Sequence, residues 1–335
     1  MLKVFDPHQL AHAPALELHN GAWTDYAETV ARPGIVAERL GDTVAARDFG
    51  LAPIARIHTP DYLDFLQTAH ARWTEAGRPG DAIGYVWPVV GRRPVNLTRI
   101  DALLGRYSYD AATPIAAGTW DAAYWGAQTA LTALQPLLDG EARASFALCR
   151  PPGHHSGADY CGGYCYLNNA AIAAQAAVDA GQRRVAILDI DYHHGNGTQD
   201  IFLERGDVFF TSIHADPATD YPFYWGHADE RGQGAGEGAT LNLPLPRGTG
   251  IADYLPALDT ALAAIAGFGP ELVVVSFGAD TFAEDPISHF KFVTADYPVI
   301  ARRIAEAGLP TLIVLEGGYA VDALGENVAA FLSGF

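Results

Sequence analysis

Cysteine is scarce in this chain: Cys149, Cys161 and Cys165 are the three among 335 residues. A sparse, odd set builds no disulfide framework and suits a reducing compartment. Cys161 and Cys165 stand in C-x-x-x-C spacing, but no second Cys or Cys/His pair completes a structural zinc site, so buried or incidental thiols are expected. Long apolar runs are missing as well. No stretch approaches the roughly 20 residues that span a bilayer. The opening MLKVFDPHQL lacks the apolar segment of a secretory signal. A cytoplasmic protein with no membrane partner is expected. Positive charge is in deficit, with 21 Lys and Arg against 39 Asp and Glu and a formal charge of −18. Phosphate binding needs clustered cations, so nucleic acid is not an expected partner. An acidic surface instead aids solubility and steers small cations toward the protein.

What the sequence does have is alternation. Apolar residues make up 49% and charged residues 18%, a globular composition. "RVAILDID" (184–191), "DVFFTSIHA" (207–215), "ELVVVSFGAD" (271–280) and "PTLIVLEGG" (310–318) read as buried strands, apolar runs ending in polar residues or glycine. Residues 166–181 and 253–269 carry helical periodicity and stop at glycine. A further helix is predicted over 118–140, capped by Thr119 and stopped by Gly140. The pattern predicts a single α/β domain, 1–335, with a mostly parallel central sheet and helices on both faces. Two segments depart from it. Residues 74–117, rich in Gly, Pro, Arg and Tyr, show little periodicity and read as a lid, a binding loop or an interface. Residues 214–238 read as a flexible turn, because "GQGAGEG" neither follows a strand directly nor opens a clear helix.

Ligands of open parallel sheets bind beyond the carboxyl ends of the strands, where the chemically interesting clusters of this sequence fall. "ILDIDYHHGNGTQ" (187–199) ends an apolar run in two aspartates, and buried carboxylates need compensation. If the chain stays extended, Asp189, Asp191 and His193 project to one side, and Tyr192 and His194 to the other. Asp191 and His193 can share a metal, with Asp280 of "VVVSFGAD" as third ligand. Three protein ligands and an open position are the pattern of catalytic zinc, with Asp189 orienting a neighbour. Otherwise these aspartates cap helices or form turns. "RPPGHHSG" (150–157) presents His154 and His155 on a rigid loop. Imidazole accepts and donates protons near neutral pH, and Asp189 can hold one of the two charged. "LEGGYA" (315–320) places Tyr319 on a Gly-Gly turn, where its hydroxyl can stabilise an oxyanion.

"RPPGHH", "DIDYHHGNGTQ", "FGAD" and "EGGY", in that order, resemble the deacetylase branch of the arginase-deacetylase fold, the zinc-dependent histone deacetylases. The resemblance covers most of the chain, including "TPDYLDFL" (59–66). "LCRPPGHH", "GGYCYLNNAA", "HHGNGTQDIF" and "DTFAEDPIS" are similar in detail to the bacterial acetylpolyamine amidohydrolase group. This resemblance implies Zn²⁺ on Asp191, His193 and Asp280, a ligand set that also accepts Fe²⁺ or Co²⁺. It implies His155 as general base and acid, His154 as an electrostatic partner bonded to Asp189, and Tyr319 as oxyanion donor. It implies a structural K⁺ on Asp189, Asp191, His193, Ser212 and Ile213. Asn196 stands where histone deacetylases often have Asp. Tyr164 and Tyr221, with Gly163 and Gly318, match substrate-binding positions. The 74–117 insertion implies a homodimer and a narrowed entrance. The implied substrate is a small cationic N-acetylated amine, cleaved to acetate and free amine. Glu17 and Asp101 are candidates to receive its ammonium, whereas Ala112 stands where the group carries a further acidic residue.

Other readings use the same residues differently. A binuclear manganese ureohydrolase needs a D-x-H-x-D motif, and here His193 is followed by His194 and Gly195. A non-catalytic binder of acylated amines would have lost His155 or Tyr319, and both are present. Acetyl-lysine peptides, proteins or other small amides stand as alternative substrates.

Overall fold

The four apolar runs 184–191, 207–215, 271–280 and 310–318 become strands here, and the carboxylates Asp189 and Glu316 mark where two of them leave the sheet. The computed structural model describes residues 1–89 and 95–335; positions 90–94 of the 74–117 insertion lie outside the described residues. The strands are β1 (Leu2–Val4), β2 (Leu16–His19), β3 (Ala22–Asp25), β4 (Ala144–Ala147), β5 (Val185–Asp189), β6 (Val208–Ala215), β7 (Thr240–Leu245), β8 (Leu272–Phe277) and β9 (Thr311–Leu315). The helices are α1 (Ala31–Leu40), α2 (Pro60–Glu75), α3 (Ile100–Tyr107), α4 (Thr119–Leu138), α5 (Asn169–Asp179), α6 (Asn196–Phe202), α7 (Ile251–Phe268), α8 (Tyr297–Ala305) and α9 (Val321–Leu332). Seven strands form one sheet in the order β1-β4-β9-β8-β5-β6-β7, and each neighbouring pair in it is parallel.

Side chains alternate along these strands, so the sheet feeds two cores. Val185, Ile187, Phe210, Val274 and Val314 pack with α2 to α5 on one face. Ala186, Leu188, Phe209, Val275 and Ile313 pack with α1, α7, α8 and α9 on the other. Each fully buried Val, Leu, Ile or Phe stabilises the fold by roughly 1.5–3 kcal/mol. Helix α7 is 18 residues long with mean hydropathy 1.3, the length and composition of a membrane span that the sequence reading did not find. Its Tyr254, Leu258, Ala261 and Ile265 are nevertheless buried in the second core.

Four expectations need correcting. The chain does not stay extended past Asp189. Asp189 Oδ1 accepts from the Asp191 amide at 3.1 Å and Asp191 Oδ1 from the His193 amide at 2.8 Å, and these local bonds curl the segment. Thr119 is not the cap of α4; Gly118 is, and the Thr119 hydroxyl accepts from the Ala116 amide at 2.8 Å. Residues 74–117 are not without structure, since α3 lies within them. Residues 214–238 are pinned rather than free: the Gly238 amide donates to Arg231 O at 2.7 Å and Gln233 to Leu203 O at 2.8 Å. The β2–β3 hairpin was also not anticipated. Its turn is Asn20-Gly21, with φ of 50° and 80°, the left-handed pair that matches strand twist.

Candidate active site

Asp191, His193 and Asp280 leave the ends of β5 and β8 side by side, all buried. One ligand atom from each lies within 4.8 Å of the others. Backbone amides hold the carboxylates: Gly317 donates to Asp191 Oδ2 at 2.8 Å and Tyr192 to Asp280 Oδ1 at 3.0 Å. His193 Nδ1 sits 3.1 Å from Asp280 Oδ2 and 3.3 Å from Asp191 Oδ1. Burial, and then the charge of Asp191, push the Asp280 carboxyl up to about 7. Two buried carboxylates in such conflict fit a divalent cation between them, and an added imidazole suits a transition metal.

The two adjacent imidazoles above this group differ in charge. His154 Nδ1 lies 2.9 Å from Asp189 Oδ2, and Nε2 lies 3.8 Å from Asp191 Oδ1. Burial opposes its charge, but Asp189 and Asp191 prevail and raise it to about 10. His155 Nδ1 meets Asn196 Oδ1 at 2.7 Å. Burial first, then the charge of His154, hold His155 well below its ordinary 6.5. One ring is therefore a fixed cation and the other a neutral acceptor, which suits it to take a proton.

Tyr319 completes the ring of reactive groups around a cavity of about 580 Å³ that His155 and His193 also line. Burial pushes its hydroxyl well above 10 against the opposing charge of Arg32, so it keeps its proton for donation to a bound group. Several groups that fix Tyr319 were not singled out from sequence. Asp285 Oδ2 accepts from the Tyr319 amide at 2.7 Å and the Ala320 amide at 3.1 Å. Arg32 donates to Gly318 O and Glu316 O, each at 2.7 Å, and lies 5.0 Å from the Tyr319 ring centroid. Glu316 Oε2 accepts from the amides of Gly153 at 2.6 Å and His154 at 3.2 Å, and Oε1 from Ser276 at 3.0 Å. Its carboxyl is pushed up to about 7 by burial, against the pull of His154. Glu316 follows the same sequence signal as Asp189, a carboxylate at the end of an apolar run, whereas Asp285 lies eight residues beyond the end of its strand. Arg32 carries no such signal.

Beneath the group, Asp189 and Ser212 face each other in register across β5 and β6, with Ile213 next and all three buried. Around the cavity mouth lie Gly163, Tyr164 and Tyr221. Gly163 has φ +54°, and a Cβ there would stand 2.2 Å from His155 Cδ2, so a side chain would displace that ring. Tyr221 donates to Asp110 at 2.8 Å and crosses His155 edge-on at 5.2 Å. Gly318 lies in the turn behind Tyr319 and does not line the cavity. Glu17, from the unanticipated hairpin, accepts from the Tyr164 hydroxyl at 3.1 Å, and Leu18, His19 and Asn20 beyond it line the cavity. Burial raises Glu17 to about 7, opposed by the Ala27 amide and the Tyr164 hydroxyl. Asp101 is not brought to the cavity. It sits in the first turn of α3, paired with Arg78 at 2.6 Å and Arg99 at 2.8 Å, so its charge is already matched. Among the carboxylates that do line the cavity is Asp110, near Ala112. Cys149, Cys161 and Cys165 are free and buried, and their thiols donate to backbone carbonyls.

Known proteins share this architecture and sequence. The histone deacetylase domain model matches residues 23–335. Acetylpolyamine amidohydrolase 1 of Pseudomonas aeruginosa is 51% identical over 345 aligned residues, covering 100% of this chain and 99% of that protein. The acetylpolyamine amidohydrolase of Mycoplana ramosa is 49% identical, covering 88% of this chain and 86% of its own length. The crystal structure of an acetylpolyamine aminohydrolase from Burkholderia pseudomallei superposes with a TM-score of 0.95 at 41% identity, covering 100% and 98% of the two chains.

Proposed function

The chain belongs to the histone deacetylase family, and from that premise we propose that it is a hydrolase removing acetyl groups from acetylated polyamines and similar small amines. Acetate and the free amine are its products. The observation that carries this reading is the buried Asp191–His193–Asp280 group, whose His193 lines one cavity together with His155 and Tyr319. Near-half identity along the full length to proteins named for that activity supports the substrate class.

We assign Zn²⁺ to Asp191, His193 and Asp280, with Fe²⁺ or Co²⁺ as alternatives that the same donors accept. Such an ion supplies Lewis acidity to the amide carbonyl and to the attacking water. The chain's own residues do the rest. His155 takes the proton of the water and later returns it to the nitrogen of the leaving amine. Tyr319 donates to the carbonyl oxygen as negative charge gathers there. His154, kept cationic by Asp189, offsets the charge of the carboxylates below. Asp189, Asp191, His193, Ser212 and Ile213, all buried, are the proposed K⁺ site, where a cation would offset the buried carboxylates.

At the mouth, Tyr164 and Tyr221 flank the acyl chain's path, and Glu17 in its charged form attracts the substrate ammonium. The described part of the insertion exposes Tyr85, Val86, Trp87, Val89 and Val95 close together in sequence. Apolar side chains gathered on a surface favour burial, and we propose that a second copy of the chain covers them and narrows the entrance. A cytoplasmic location suits the three free thiols.

Acetate release tests the reading, measured with N-acetylputrescine, N-acetylcadaverine, N8-acetylspermidine and an acetyl-lysine peptide, before and after chelation. Metal-dependent turnover that favours the small amines supports it. Preference for the peptide, or turnover indifferent to chelation, overturns it.

A further inference from the structure

A histidine serves as a base through the nitrogen that carries no proton, so the tautomer of His155 decides whether it can act. Its Nδ1 lies 2.7 Å from one terminal atom of the Asn196 amide. With oxygen in that place, Nδ1 bears the proton and Nε2 keeps its lone pair. With NH₂ there, Nε2 bears the proton and the base is lost. An aspartate at 196 would force the first arrangement by itself. An asparagine has no such bias, and its direction must be imposed from outside.

The imposing groups lie on the far side. The other end of the Asn196 amide sits 3.4 Å from the Tyr160 hydroxyl, which lies 2.6 Å from Asp200 Oδ2. A carboxylate accepts and does not donate, so the single hydroxyl proton of Tyr160 goes to Asp200. The Tyr160 oxygen is then left only as an acceptor, which requires NH₂ from Asn196 and turns the amide oxygen toward His155. The Tyr109 hydroxyl lies 3.4 Å from that same Oδ1, but its one proton is shared with the Tyr221 hydroxyl beside it, so the direction of the amide rests on Tyr160 and Asp200. Tyr160 is held on the loop that carries the base, its carbonyl accepting from the Gly157 amide at 3.1 Å and the Ser156 hydroxyl at 3.0 Å. Neither Tyr160 nor Asp200 lines the cavity.

We propose that Asp200, acting through Tyr160 and Asn196, is a positioning residue that sets the tautomer of His155. The inference rests on the reading of His155 as the base. It assigns a task to a carboxylate that touches neither substrate nor metal ligand.

The test is the nitrogen spectrum of [¹⁵N]histidine-labelled, metal-loaded enzyme, with the His155 signals identified by their loss in His155→Asn. In the wild type, Nδ1 is expected to carry the proton and Nε2 to show the bare-nitrogen shift. In Tyr160→Phe and Asp200→Asn, signals of the reversed tautomer are expected, with kcat falling about tenfold or more, in the range of lost supporting hydrogen bonds, and KM within about twofold. Asp200→Asn sits on a half-buried side chain, and it decides the matter alone if Tyr160→Phe does not fold. An unchanged His155 spectrum in the variants overturns the proposal whether or not kcat falls, as does a rise in KM alone. The spectrum is read on resting enzyme. Failure of the wild type to release acetate from every substrate therefore sinks the functional reading, while the spectrum still judges this one.

Discussion

The floor of the cavity and its mouth are built by different means. Beneath the floor, behind His155, His193 and Tyr319, the carboxylates Asp191, Asp280 and Glu316 stand near the ends of neighbouring parallel strands, and backbone amides of adjacent segments fill their lone pairs. Sheet register therefore fixes their spacing. The mouth is assembled from the β2–β3 hairpin, the insertion and the loops after β6 to β8, and its groups hold one another through side chains such as Tyr164 on Glu17 and Tyr221 on Asp110. A floor set by the backbone holds reacting groups rigidly, and a mouth set by side chains can change partners without disturbing the sheet. Chemistry is expected to depend on the first and substrate choice on the second.

Tyr319→Phe makes the largest break. It removes one hydroxyl and keeps the ring, and kcat is expected to drop by about 10²–10³ with KM little altered, the cost of one oxyanion donor. A comparable loss in KM instead would show that Tyr319 belongs with the mouth. Glu316→Gln comes next. It keeps the shape but weakens the acceptor beneath the His154 loop, so kcat is expected to fall roughly 10–100-fold, as when a supporting hydrogen bond is lost. Steady-state kinetics on N-acetylputrescine, with a melting curve as control, decide between altered chemistry and general unfolding.

Glu17→Gln sharpens the comparison from the other side. The expected effect is a rise in KM for cationic amines of about five- to tenfold, equivalent to roughly 1 kcal/mol, with kcat retained. Because burial raises Glu17 to about 7, the wild-type carboxyl is neutral below that pH and charged above it. The KM of wild type should therefore fall as pH rises through about 7, and that of the variant should stay flat. Linkage runs the opposite way for stability. A carboxyl raised from 4.5 to about 7 favours the native state most below 4.5, and that contribution is lost as pH climbs through 7. Urea titrations across this window should show the slope shrink in the variant. Val89→Asp is the mildest, placing a charge on a 68% exposed side chain of the insertion. Sedimentation should show a self-association weakened at micromolar concentration, with kcat within about twofold, as for surface changes generally.

The same division decided what could be read in advance. A strand end writes its polar residue after an apolar run, so Asp189, Asp191, His193 and Asp280 were visible as a cluster, and so were β5 and β8, the two strands that carry them. Short strands without a chemical residue, such as Leu2–Val4 and Ala144–Ala147, left too little pattern. Helix α3 did leave one, since Ile100, Leu103, Leu104 and Tyr107 follow helical spacing, but the Arg and Gly residues between them obscured it. The Asn20-Gly21 pair marked the hairpin that carries Glu17. Asp101 looked like a free carboxylate because its partners Arg78 and Arg99 come from outside its own helix turn or flank it, and sequence does not report ion pairing. Arg32 was invisible for a similar reason. Its contacts with Glu316 and Gly318 join positions almost the whole chain apart.

The strand order also constrains how the protein is made. β9 lies in the middle of the sheet, between β4 and β8, although it is the last strand in sequence. During synthesis, β1 with β4 and the ribbon β8-β5-β6-β7 must wait as two separate half-sheets, each with an unpaired edge where β9 will enter. Open edges of that kind recruit foreign strands. The nascent chain is therefore most vulnerable to aggregation just before it acquires the strand that delivers Tyr319, and a stalled or truncated product is a candidate for chaperone capture rather than a slower enzyme.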